Sequence, residues 1–310
     1  MNPEFSFKLR RIFLPYAIFT VSAIALYSLL NLYDYDDEFP VFTDTTVDHY
    51  FPFLFTLILS PIFIFRRFKL LDLNPKNNPR LEPYAPIFLA SVVTIGFSIV
   101  TAQNYLRDTY GKFVHLQHID DIQNTQNRFY TVGNFYVKKS HPRTILRTYT
   151  TGKHSEHLNF DYYFLLPLYN TVTDTNQTCK AWLGWIYSEE QNNRGDAYQD
   201  SVEKDFVQRA SVIYEKQTFR NFPYLIRIGN TDERVRFRDI IPFGLPKDKM
   251  PILVMADEPY KQKRNMDLLK FLGAFIITLA LPFGIILCND LKEDAMIDED
   301  RYTSLFSSPE

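Results

Sequence analysis

Four apolar runs, at residues 12–33, 51–65, 86–102 and 268–288, constrain this chain more than any other feature. The hydrocarbon core of a bilayer is about 30 Å thick, so a helix that crosses it needs about 20 mostly apolar residues. Within lipid every backbone N–H and C=O must find its partner inside the segment, which selects helices. The sequence therefore predicts a membrane protein with four transmembrane α-helices, at about 12–33, 51–67, 86–103 and 266–289. A long polar block separates the third from the fourth. The expected division is a membrane region over 1–103, a water-facing domain over 104–265, the last span, and an acidic tail over 290–310.

The chain has 34 Lys and Arg against 36 Asp and Glu, a formal net charge of -2, and no basic block that would track phosphates. Nucleic acid is not an expected partner. Its two cysteines, Cys179 in the polar block and Cys288 at the end of the last span, form no disulfide framework. The first apolar run follows Lys8, Arg10 and Arg11 and ends in Asn31, Leu32 and Tyr33 without a small-residue cleavage pattern. It reads as a retained signal anchor.

Loop charge sets the expected orientation. Lys8, Arg10 and Arg11 precede the first span, and Arg66, Arg67, Lys69, Lys76 and Arg80 follow the second. Between them stand Asp34, Asp36, Asp37, Glu38, Asp44 and Asp48, with no Lys or Arg. The positive loops belong in the cytoplasm. The fourth span disagrees locally, because Lys261, Lys263, Arg264 and Lys270 precede it and Lys292 alone follows closely. Early helices dominate and long domains translocate largely regardless of charge, so the first three spans decide. The expectation is an inner (plasma) membrane protein with both termini cytoplasmic and the 104–265 domain periplasmic or extracellular. Glu293, Asp294, Asp298, Glu299 and Asp300 give the tail a disordered composition.

Pro52 and Pro61 interrupt the second span, where a proline frees a carbonyl that neighbours must satisfy. Thr56, Ser60, Thr94 and Ser98 are placed to help, or to let helices pack closely. No ionisable side chain is expected well inside a span, which argues against a transporter.

Within the polar block, apolar residues alternate as half-buried strands require. Leu158, Phe160, Tyr162, Phe164 and Leu166 take one face of a strand over 157–166, and Thr151, Gly152 and Lys153 form a turn to a strand over 144–149. Further strands are expected over 129–137, 181–188, 224–228, 235–241 and 252–256. Tyr198, Val202, Phe206, Ala210 and Ile213 recur at helical spacing over 196–216. The domain is thus expected to be α+β, one amphipathic helix on a mostly antiparallel sheet.

Five of the six histidines fall between 115 and 157. His115 with His118 and His154 with His157 form two H-x-x-H pairs near Asp121 and Glu156. Imidazoles three apart on a helix can share an ion, so His115, His118, Asp121, His154 and His157 are the metal candidates. The second pair enters a strand, where that spacing separates the side chains, and no H-E-x-x-H occurs. No catalytic residue and no cofactor is assigned. Asn176, Gln177 and Thr178 match the glycosylation pattern. Trp182 and Trp185, about Gly184 and followed by Tyr187, suit either a sheet core or an aromatic platform.

The runs Phe129-Tyr130-Thr131-Val132, Thr151-Gly152-Lys153-His154, Leu158-Asn159-Phe160-Asp161-Tyr162-Tyr163 and Ala181-Trp182-Leu183-Gly184 resemble a soluble domain. That domain precedes the catalytic helices of some bacterial rhomboid-family intramembrane proteases. The family needs a serine in G-x-S-G on one membrane helix and a histidine on another. Here Gly96-Phe97-Ser98 is followed by Ile99, and no apolar run holds a histidine. A serine without a base is a poor nucleophile, so the resemblance implies a non-catalytic relative or a partner built on the same external module.

Two functions are compatible with this pattern. One is a non-catalytic multi-pass protein, an accessory subunit of an envelope complex whose extracytoplasmic domain binds a protein partner. The alternative is a membrane or envelope enzyme, a hydrolase with or without a metal, using the histidine-rich 115–157 segment. Besides the lipid bilayer, an envelope protein is the partner expected; no small-molecule ligand is indicated.

Overall fold

The computed structural model describes residues 3–34, 46–73, 84–125, 127–176, 178–193 and 196–292. The tail's acidic residues and the loop residues Asp36 to Asp44 lie outside them. The chain divides into two compact units, Met1–Thr109 with Arg264–Glu310, and Tyr110–Lys263.

Four helices are long and apolar enough to cross a membrane, α1 (Pro3–Leu30), α2 (Thr46–Phe68), α3 (Tyr84–Tyr110) and α6 (Tyr260–Cys288), and all but Tyr110 and the first turn of α6 fall in the first unit. Two further helices, α4 (Asp196–Lys216) and α5 (Asp232–Asp239), lie between α3 and α6 in the chain. Along α1, Ile12, Tyr16, Phe19, Ala23 and Tyr27 recur at spacings of three and four and are buried. Leu14, Ile18, Val21 and Leu26 on the remaining surface are exposed. A helix apolar on every side is suited to neighbours on one face and lipid on the other. The helices run beyond the apolar stretches: α2 begins at Thr46 and takes in Asp48 and His49, and α3 carries Gln103, Arg107 and Asp108.

Close approach and hydroxyls hold the bundle together. A Cβ built on Gly96 would fall 2.5 Å from the Phe53 ring, so α2 and α3 meet where only glycine fits. The Ser98 and Thr278 hydroxyls are 2.8 Å apart, Thr278 donates to the Thr94 carbonyl at 2.9 Å, and Tyr16 donates to the Thr278 carbonyl at 3.0 Å. These bonds tie the Ser98 and Thr278 hydroxyls of α3 and α6 to each other and Tyr16 of α1 to an α6 carbonyl. Thr56 turns back on the Pro52 carbonyl at 2.7 Å, and Pro61 opens a π-helical stretch, Pro61–Phe65. At one end of the unit the Gln103 amide donates to Ser28 at 2.9 Å, and Arg107 pairs with Asp48, both largely buried. Backbone after α2 pairs with backbone after α6, through Asp72 N–H to the Asp290 carbonyl at 2.8 Å and Lys292 N–H to the Leu70 carbonyl at 3.0 Å.

The second unit is built on one eight-stranded sheet in the order β1-β2-β7-β8-β6-β5-β3, with β4 also on β5. Its strands are β1 (Phe113–His118), β2 (Phe129–Asn134), β3 (Tyr136–Val137), β4 (Arg143–Thr151), β5 (His157–Tyr169), β6 (Ala181–Asn192), β7 (Leu225–Arg227) and β8 (Ile252–Met255). The sheet is mixed, not mostly antiparallel: β1 with β2 and β6 with β8 are parallel. Both parallel pairs need crossovers. The 3-10 turn Ile119–Asn124 supplies the first, and the stretch containing α4, β7 and α5 supplies the second. Phe135 alone divides β2 from β3, yet β2 bonds to β7 and β3 to β5. One continuous stretch, 129–137, thus supplies strands near both ends of the hydrogen-bonded order.

Both faces of the sheet are covered. Phe164, Leu166, Leu168, Leu183 and Leu253 pack with Ala210 and Tyr214 of α4, while Tyr163, Leu165, Trp182 and Ile252 pack with Phe237 of α5. Double coverage explains the continuous apolar run Tyr162–Leu168, which a one-sided strand would break with polar residues.

The stretch 235–241, expected as a strand, is instead α5. Thr231 caps it by accepting from the Arg234 N–H at 3.2 Å, Asp232 and Glu233 fill its first turn, and Arg236 and Arg238 its last. Those charges complement the helix dipole and outweigh the alternation of Val235 and Phe237.

Gly184 of β6 lies beneath α5, and a Cβ there would come 2.6 Å from the fully buried Phe237 ring. Gly184→Ala is expected to destabilise this unit by about 1–3 kcal/mol through overpacking. Both tryptophans of the chain are on β6, so their fluorescence during urea unfolding of the full chain in detergent reads this unit alone.

Candidate functional site

The second unit carries a cleft of about 510 Å³. Its geometry follows from where strands part. β7 pairs with β2 at Phe129 and Tyr130 only, and the residues before β7 diverge from Thr131 onward. β5 ends at Tyr169, opposite Tyr136, and the chain beyond it diverges as well. Between the two departures lie Thr131, Asn134 and Tyr136 on one side, with Thr171, Arg220 and Phe222 on the others.

Hydrogen bonds fix the walls. Asn170 accepts from the Ile119 N–H at 2.9 Å and donates to Asp120 at 2.8 Å. The Thr171 N–H and hydroxyl both donate to Asp174, at 3.0 and 2.7 Å. Phe222 packs on Phe135 with ring centroids 5.7 Å apart. The carboxylates beside the cleft are thus committed to its walls. Arg220 is exposed and has no hydrogen bond or ion pair among the described residues.

The histidines expected to bind metal are dispersed among separate elements. His115 and His118 are on β1, a strand, so their spacing of three places them on opposite faces. His115 Nδ1 lies 2.9 Å from the Thr131 hydroxyl. Asp121 is in the turn after β1, His154 is in the β4–β5 turn, and His157 pairs with Glu190 at 2.8 Å. Among the described residues no three His, Cys, Asp or Glu side chains converge. Asn176 is exposed at the end of a 3-10 turn, and Gln177 lies outside the described residues. Trp182 is buried, while Trp185 packs on Phe164, Tyr187 and Phe219 beneath α4, as core rather than platform. In the first unit Ser98 bonds Thr278, and Gly96 serves the contact with Phe53.

No family model matches the chain, nor does any curated protein or solved structure.

Cys179 is buried beside this sheet, and burial pushes its thiol up to about 11. Thiolate is the reactive form, so at neutral pH Cys179 of the folded chain is expected to resist maleimide. Mass spectrometry should find it modified quickly only after denaturation; rapid native modification would contradict this burial.

Proposed function

We propose that this chain is a non-catalytic, multi-pass inner-membrane protein whose Tyr110–Lys263 unit faces the far side of the bilayer and binds an envelope protein as an accessory subunit. The observation that carries it is the cleft: an open concavity with an uncommitted guanidinium at its edge and, among the described residues that line it, no carboxylate. The described lining offers hydroxyls, amides and an exposed guanidinium, groups suited to holding a polar segment.

Orientation has its own support. The positive residues Arg66 and Arg67 end α2 and Lys69 follows it, and the pairing of Leu71 with Leu291 sets the exit of α6 at the same end of the bundle. That favours the cytoplasmic tail expected from the first three spans over the local charge around α6. Use of a rhomboid-type external module without catalysis fits the engagement of Ser98 by Thr278. No observation favours the hydrolase alternative, whose five candidate side chains are divided among β1, its following turn and the β4–β5 hairpin.

Affinity purification of the full chain from native membranes in mild detergent tests the function. An envelope protein in stoichiometric amount is expected. Recovery of the chain alone, under conditions that keep its tryptophan emission native, would contradict it.

A further inference from the structure

We infer that the cleft receives an extended, carboxylate-bearing peptide segment of the partner, which adds as a strand to β2 and places its carboxylate on Arg220. This rests on the partner-binding function above and names what that surface recognises.

The edge of β2 supplies the first reason. β1 stays with β2 through Asn134, whereas β7 leaves it after Tyr130. The β2 edge opposite β1 therefore has no strand partner from Thr131 to Asn134 among the described residues, and those residues line the cleft. Backbone donors and acceptors on such an edge are filled by water or by an added strand. Four residues at about 3.3 Å each give a seat of about 13 Å, enough for four or five residues of a peptide. Main-chain bonds of this kind supply affinity, and pockets for alternate side chains supply selectivity.

Charge is the second. Arg220 is the one charged side chain among the described residues that line the cleft. Its planar fork matches a carboxylate bidentately, a geometry that lysine cannot reproduce. The third is rigidity. With Asn170, Thr171 and Phe222 already fixed by Asp120, Asp174 and Phe135, the walls need little ordering when a segment enters.

The test uses full-length protein in lipid nanodiscs and phage-displayed heptapeptides of alternating β-branched residues, with Glu or Gln at one position. Glu peptides are expected to be recovered at least about 10-fold over their Gln counterparts, the advantage of a charge-assisted pair. Arg220→Glu should abolish that preference, and Arg220→Lys should retain part of it. Arg220 is exposed, so both variants should unfold like the wild type. Hydrogen exchange at residues 131–134 should slow when a selected peptide binds. Equal recovery of Glu and Gln peptides, no recovery above empty nanodiscs, or unchanged exchange at 131–134 would each overturn the inference. If an envelope protein copurifies equally with wild type and Arg220→Glu, this inference fails and the accessory function stands. If none copurifies with wild type, the function itself fails.

Discussion

Phe206→Ala is expected to cost the Tyr110–Lys263 unit about 3–5 kcal/mol, the range for removing a buried phenylalanine and leaving its cavity. Phe206 is fully buried, stacks on Phe160 at 5.1 Å and on Tyr187 at 5.6 Å, and approaches Tyr162 at 6.5 Å. It is the central contact of α4 with β5 and β6, between Val202 and Ala210 on the same helix face. Marginal domains hold only about 5–15 kcal/mol in total, so such a loss takes a large part of the unit's stability. Urea unfolding followed by Trp182 and Trp185 should show a midpoint far below that of wild type. Phe206→Leu preserves most of the volume and should lose less. An alanine variant within 1 kcal/mol of wild type, by order of magnitude, would mean that α4 is not held by this stack.

Arg107→Ala is expected to destabilise the other unit by about 3–5 kcal/mol, because it removes one member of a largely buried ion pair with Asp48. The pair joins the start of α2 to the end of α3, and both side chains are largely hidden, at 6% and 16% exposure for Asp48 and Arg107. Desolvation makes the intact pair a modest contributor and a broken one costly. Removing both partners, as in Asp48→Asn with Arg107→Gln, should therefore cost less than the sum of the single changes. Thermal unfolding in detergent, followed by helical circular dichroism, gives the four corners of that cycle. Additive losses would show that the two side chains act independently.

The membrane helices were legible because a span is written in one continuous run of residues. Their true ends were not, since helices continue through polar residues such as Gln103 and Arg107 that find partners across the bundle. Alternation correctly marked β5, yet alternation says nothing of a neighbour's direction, so the parallel partners of β2 and β6 were invisible. It misled at Val235 and Phe237, where the cap from Thr231 and the charge order decide for a helix. β1 left little trace because only Leu116 of its six residues is buried, and His115 and His118 drew attention as ligands instead. Gly96 and Gly184 owe their identity to Phe53 and Phe237, which are remote in sequence. The cleft is the least legible part. Thr131, Thr171 and Arg220 come from three segments, and only the divergence of β5 and β7 from one strand brings them together.

The most direct test of the central claim is the side of the membrane on which the Tyr110–Lys263 unit stands. Lys153 is exposed in the β4–β5 turn, so Lys153→Cys in a background with Cys179→Ser and Cys288→Ser gives one reporter thiol. Intact cells are treated with a membrane-impermeant maleimide before lysis. Labelling at position 153 without permeabilising the inner membrane is the expected result. Labelling that appears only after permeabilisation would put the cleft in the cytosol and contradict its service to an envelope partner.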